Sequence, residues 1–120
     1  MDLIEVFKDS EDLAQYDAGT VVLREGEPGD HMYVVMKGEL SIRIAGKTIA
    51  TASPGDIVGE MALINSETRS ASVVAESDCM LADIDRSSFD SLLKYVPDFS
   101  VHVLNVLAGR LSAAYEIIDR

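Results

Sequence analysis

Between Val21 and Leu81 the apolar residues of this chain fall in short runs with a period of two, each closed by glycine, proline or aspartate. Side chains on a strand alternate between faces, so the pattern predicts strands at about 20 to 24, 31 to 37, 39 to 45, 47 to 52, 57 to 58, 70 to 75 and 79 to 84. The breakers Gly26, Pro28-Gly29-Asp30, Gly38, Gly46 and Pro54-Gly55-Asp56 recur at intervals that suit the corners of a compact antiparallel barrel. Ala45-Gly46-Lys47 reads as a tight hairpin. Gly38 and Gly55 stand where the backbone is expected to adopt conformations that a side chain penalises. The expected fold class is mainly β with flanking helices: an antiparallel double-stranded β-helix, or jelly-roll β-roll, followed by C-terminal helices.

The flanks have a different period. Leu3, Ile4, Val6, Phe7, Leu13 and Tyr16 lie among acids and predict a short helical or turn-like lead-in over residues 1–17. After Asp85 the alternation gives way to helical spacing. Asp85 can cap a helix from about Arg86 to Lys94 that presents Phe89, Leu92 and Leu93 on one side, and Pro97 ends that element and opens the next. The last helix, about Pro97 to Ile118, sets Val101, Leu104, Leu107, Ala108, Leu111, Tyr115 and Ile118 at three- and four-residue spacing. Packing on the chain's own barrel and dimerisation with a second copy both account for that stripe. The expected organisation is one domain over residues 1–120, with the β-roll at 18–85 and C-terminal helices at 86–120.

A chain of 120 residues fits one domain, and a domain of that size buries about two thirds of its unfolded surface without a disulfide or metal. Its net charge of −11 argues against nucleic acid as a partner, because phosphate-backbone binding needs clustered Lys and Arg. A small anion is still compatible, since one buried arginine makes a local positive well inside an acidic surface. The single cysteine, Cys79, lies in an apolar alternation and reads as a small buried hydrophobe. With no signal peptide and no apolar run long enough for a bilayer, the expected location is the cytoplasm, away from membrane. His31 and His102 lack the further spaced ligands of a metal centre, and no nucleophile elbow or Cys/His pair suggests catalysis. The expectation is a non-enzymatic protein with no cofactor and no metal.

One stretch carries most of the chemistry. Val58-Gly59-Glu60-Met61-Ala62-Leu63-Ile64, then four residues, then Arg69-Ser70-Ala71-Ser72-Val73 places a glycine, a carboxylate, small and apolar residues and one arginine at a spacing suited to a sugar phosphate. Gly59 lets backbone approach a ligand, and residues 60 to 64 can form one turn whose free N–H groups face an anion. Glu60 must face a donor such as a ribose hydroxyl. Arg69 supplies a fork of donors for paired phosphate oxygens, and Ser70 adds a hydroxyl. An ion pair of Arg69 with Glu60 or Glu67 is the competing assignment.

This stretch resembles the phosphate-binding cassette of cyclic nucleotide-binding domains, the module of bacterial catabolite-activator-type regulators, cyclic-nucleotide-dependent kinase regulatory subunits and cyclic-nucleotide-gated channels. There the cassette reads roughly Phe-Gly-Glu-Leu-Ala-Leu-Leu, then Pro-Arg-Ala/Ser/Thr-Ala. Val58 stands in place of the aromatic and Thr68 in place of the proline, which leaves the loop from Asn65 to Thr68 less rigid. The resemblance extends over roughly residues 13 to 118, through Ala18-Gly19-Thr20-Val21-Val22, Arg24-Glu25-Gly26-Glu27-Pro28-Gly29-Asp30, Met32-Tyr33-Val34-Val35 and Gly38-Glu39-Leu40-Ser41-Ile42.

The resemblance implies a cassette over residues 58–73 in which Gly59, Glu60, Met61 and Ala62 form the short helix and backbone donors. Glu60 would hold the ribose 2′-hydroxyl, Arg69 would clamp the cyclic phosphate, Ser70 would add a phosphate or base contact, and Ala71 would complete the ligand-binding set. Candidate base contacts are Val73 and, on the last helix, Leu107, Arg110, Leu111 and Tyr115, with plain core or interface roles as the alternative for each. The implied ligand is cAMP or cGMP. Ser70 suits either, and the compact chain with its long last helix favours cAMP. The implied protein is a stand-alone sensor without a DNA-binding domain that acts on a downstream protein and dimerises through the last helix. An interaction module of the same fold that has lost its nucleotide, and the sensor half of a longer transcription regulator, are the alternatives.

Overall fold

The computed structural model describes residues 1–65 and 68–118. Contacts divide them into two compact units, one from Asp2 to Arg86 and one that begins at Ser87.

In the first unit α1 (Leu3–Phe7) is capped by the Asp2 side chain, which accepts a hydrogen bond from the Glu5 amide at 3.2 Å. Eight strands follow: β1 (Leu13–Tyr16), β2 (Val21–Leu23), β3 (His31–Lys37), β4 (Leu40–Ile44), β5 (Lys47–Ala52), β6 (Ile57–Val58), β7 (Ser72–Ala75) and β8 (Cys79–Asp85), with α2 (Glu60–Asn65) between β6 and β7. They form two antiparallel four-stranded sheets, β1-β8-β3-β6 and β2-β7-β4-β5. The β-roll expected from the period-two runs is the fold.

The core joins the two sheets. Leu40, Ile42, Ala52, Val73 and Ala75 come from one sheet, and Val35, Val58, Cys79 and Leu81 from the other. Strand β3 is buried on both faces: Met32 and Val34 are as fully enclosed as Val35, and α1 and α2 pack on this strand. Its near-continuous apolar run follows from that double burial.

Two details depart from expectation. The helical lead-in to residue 17 holds only for α1, because Leu13–Tyr16 is a strand paired with β8 in the register Leu13↔Ala82 to Tyr16↔Cys79. As an edge strand it is partly exposed on both sides, so its sequence lacks alternation, and its partner lies far along the chain. The strand expected over 70 to 75 begins only at Ser72, because the backbone at Thr68 and Arg69 pairs with the corner at 26–28 instead of the sheet.

The second unit holds α3 (Arg86–Tyr95) from Ser87 onward, and α4 (Pro97–Ile118). Within it the rings of Phe89 and Phe99 meet edge to face with centroids 6.1 Å apart.

Gly38 (φ 89°) and Gly55 (φ 95°) take left-handed backbone as expected, and at Gly38 a Cβ would stand 2.4 Å from the Asp78 carbonyl oxygen. The β4–β5 hairpin turns on Ala45 (φ 51°) and Gly46 (φ 78°), two positive angles in succession, the type I′ arrangement. Alanine pays a steric cost there that asparagine largely avoids. Ala45→Asn is expected to raise stability by about 0.5–1 kcal/mol, read as a higher urea midpoint at unchanged slope. A lower midpoint would mean that the turn does not carry this strain.

Candidate functional site

Three separated segments build the site. Gly26 and Glu27, at the corner between β2 and β3, clamp the backbone of Arg69: the Gly26 amide donates to the Arg69 carbonyl at 2.9 Å, and the Arg69 amide to the Glu27 carbonyl at 2.8 Å. Pro28 and Thr68 form the adjoining bridge. With its backbone fixed, the Arg69 side chain lies across Gly29. A Cβ at that glycine would stand 2.2 to 2.8 Å from the guanidinium and its neighbouring carbon. Arg69 then reaches Gly59, where Nη1 donates to the carbonyl oxygen at 2.9 Å. Gly59 is itself left-handed at φ 82°, and a Cβ there would stand 2.8 Å from Nη1. Two glycines therefore make the space that one guanidinium fills.

Arg69 is 8% exposed and, among the described residues, takes part in no ion pair. A buried guanidinium is costly to desolvate and is normally paired. The competing assignment to an ion pair with Glu60 gains no support from these contacts, and Glu67 lies outside the described residues, as does most of the loop from Asn65 to Thr68.

Glu60 opens α2 and is 1% exposed, so its carboxylate is built into the protein. Ala62 is buried beside it, whereas Met61 is partly open to solvent. Ser70 is exposed and Ala71 packs against the core next to Arg69. Val73 is itself a core residue. Leu107, Arg110, Leu111 and Tyr115 lie on α4, in the second unit. Thus Gly59 and Arg69 come together within the first unit, and Glu60, Met61, Ala62, Ser70 and Ala71 adjoin them in sequence. Arg86, the first residue of α3, donates from Nη1 to the Leu63 carbonyl of α2 at 3.3 Å.

On the core-facing side of β3, within electrostatic reach of Arg69, stands Tyr33. Burial pushes its phenol up, the Asp83 carboxylate adds to the shift, and the Arg69 charge opposes it. His31 on the same strand is held 2.6 Å from Asp83. In the sequence His31 stands out only as a histidine without the further ligands of a metal centre, and Gly29 only as a corner breaker. Nothing local marks Gly29 as the floor beneath Arg69, because the two meet only through the fold. No group of residues suited to a metal ion occurs among the described residues, and no described helix is long and apolar enough to cross a membrane.

Residues 13–95 match the sequence profile of the cyclic nucleotide-binding domain. The chain belongs to that family. It is 43% identical over 115 residues to the cGMP-dependent protein kinase egl-4 of Caenorhabditis briggsae, covering 86% of this chain and 15% of the kinase. It is 31% identical over 108 residues to the Pycsar effector protein XpPycTIR of Xanthomonas perforans, covering 89% of this chain and 36% of the effector. The chain thus spans only a minor part of these relatives. Among solved structures, the catabolite activator protein of Thermus thermophilus superposes with a TM-score of 0.78 at 29% identity, over 89% of this chain and 53% of that one. The structure of Sp-2Cl-cAMPS bound to PKAR CBD2 superposes with a TM-score of 0.71 at 27% identity, over 91% of this chain and 82% of that one.

The Gly29 contact sets up a test of the cradle. Gly29 has no left-handed backbone, and the atoms that a Cβ would strike belong to the far end of a flexible side chain. Gly29→Ala is therefore expected to change stability by less than about 1 kcal/mol while displacing the guanidinium. Loss of one charge-assisted hydrogen bond to ligand would lower cyclic nucleotide affinity about 10- to 100-fold in a calorimetric titration. Undiminished affinity would show that the position of Arg69 over Gly29 is immaterial to binding.

Proposed function

We propose that this chain is a non-enzymatic cyclic nucleotide sensor, with cAMP preferred to cGMP, that passes ligand capture at residues 58–73 on to its C-terminal helices. The observation that supports this most is Arg69: a buried cation, framed by two glycines, without an ion pair among the described residues of a protein whose net charge is −11. Arg69 offers its fork to two oxygens of the cyclic phosphate, and the amides near Met61 and Ala62 add donors. Glu60 accepts from the ribose 2′-hydroxyl, and Ser70 supplies a hydroxyl beside the phosphate. The preference for cAMP draws on likeness to the catabolite activator and to the kinase regulatory domain with its cAMP analogue. The likeness to a cGMP-dependent kinase weighs on the other side.

For transmission, the hydrogen bond from Arg86 to the Leu63 carbonyl ties the cassette helix to the first residue of α3. Ligand that draws α2 inward pulls on that bond. Coupling of this kind requires about 1 to 3 kcal/mol of differential affinity between two helix arrangements. A downstream protein reads the outcome.

Replacing Arg69 by Ala removes both phosphate hydrogen bonds and is expected to weaken cAMP binding about 100-fold or more. The measurement is calorimetric titration into protein unfolded and refolded to strip carried-over nucleotide. If Arg69→Ala bound cAMP as tightly as the parent protein, the assignment of the cassette would be wrong.

A second element of the proposal is a homodimer through α4. Val101, Leu104, Leu111, Tyr115 and Ile118 are all more than half exposed, and with Ala108 they alternate at three- and four-residue steps. That is the seam a second copy of the same helix fits. Sedimentation equilibrium of the parent is expected to show a dimer, and the double variant Leu104→Glu, Leu111→Glu a monomer. A variant that sediments as the parent does would place any self-association elsewhere.

A further inference from the structure

With phosphate capture at Arg69 as its premise, we propose that His31 and Asp83 link that capture to protons, so that anion affinity falls as pH rises through the histidine range. His31 follows Gly29 and Asp30 directly, and Gly29 is the floor beneath the guanidinium. The His31 carbonyl oxygen lies 3.2 Å from the point where a Gly59 Cβ would stand, and Arg69 Nη1 lies 2.8 Å from that same point. The start of β3 and the guanidinium thus crowd one spot.

The His31 side chain is set between carboxylates. Nδ1 stands 2.6 Å from Asp83 Oδ1 across the β3–β8 ladder, and Nε2 stands 3.4 Å from Asp30 Oδ1. Asp85 is its direct partner in the strand register. Only the imidazolium donates from both ring nitrogens, so a ring with an acid at each one is arranged for the charged form. The hydrogen bond to Asp83 is the leading cause that raises the His31 pKa above 6.5; burial opposes it as the next largest effect, and the charges of Asp83, Asp30 and Asp85 add smaller contributions in the raising direction. The remaining titratable neighbours, Tyr33 on β3 and Tyr16 on β1, are phenols whose pKa values are raised, leaving them neutral. Arg69 is the cation that acts on Tyr33.

Protonated, His31 offsets Asp83 and Asp30, the two carboxylates within reach of its ring nitrogens at the start of β3. Once it is neutral they stand less compensated, and an incoming phosphate meets their repulsion. The same proton stabilises the fold: because the folded value is raised, that contribution is complete below the ordinary value of 6.5 and lost as pH rises through the raised one.

The test is calorimetric titration of cAMP between pH about 5.5 and about 8.5 for the parent protein, His31→Gln and Asp83→Asn, with a thermal melt at each pH as a check on folding. The cyclic phosphate keeps one negative charge throughout that range. Parent affinity is expected to fall about 3- to 10-fold from the acid to the alkaline end. The His31→Gln profile is expected to be flat, and the Asp83→Asn transition to move to lower pH. A flat parent profile, or a His31→Gln profile that keeps the parental slope, overturns the linkage. A merely structural role for His31 would lower affinity equally at every pH and leave the slope in place, which also overturns it. If the parent bound no cAMP at any pH, phosphate capture itself would fail and this linkage with it, an outcome distinct from binding without pH dependence.

Discussion

The placement of the Arg69 guanidinium is the constraint on which the site depends. Two backbone hydrogen bonds from the corner at 26–28 hold its main chain, Gly29 leaves room for its side chain, and the Gly59 carbonyl receives Nη1. These partners come from three stretches of chain that meet only because the two sheets close on a shared core. Desolvating a cation is costly, and here a single carbonyl, not a carboxylate, receives it among the described residues. Under the function proposed above, the remaining donors of the fork are the ones that meet the cyclic phosphate.

Much of the fold could be read from the sequence because its signals are local. Period-two runs marked β3, β4, β5 and β8, and Ala45-Gly46 marked the hairpin between β4 and β5. Strand β1 was not legible: its half-exposed residues do not alternate, and what makes them a strand is pairing with β8 more than sixty residues away. The same distinction runs through the site. Gly59, Glu60 and Arg69 stand in one recognisable stretch, whereas the roles of Gly29 beneath Arg69 and of His31 against Asp83 arise from long-range contacts. Such roles leave no mark in the residues on either side.

Charge distribution gives the acidic composition a second meaning. A net charge of −11 opposes the approach of any anion. Against that field stands the buried guanidinium of Arg69, while His31 lies among Asp30, Asp83 and Asp85 next to the corner that carries Gly29. The local balance near the site therefore turns on few protons, while acids such as Glu25 and Glu76 serve the scaffold. Glu25 accepts from the Ala45 amide at the hairpin, and Glu76 joins Ser41 and Arg43 on β4.

The most direct test of the central claim is side-chain nitrogen NMR of Arg69 during addition of cAMP to nucleotide-free protein, with the resonance assigned by an Arg69→Lys variant. Phosphate capture by Arg69 requires that its guanidinium signals shift and that their exchange with water slows in step with saturation, as its donors engage the phosphate. Saturable binding that leaves those signals unmoved would contradict it, because the anion would then be held by other groups.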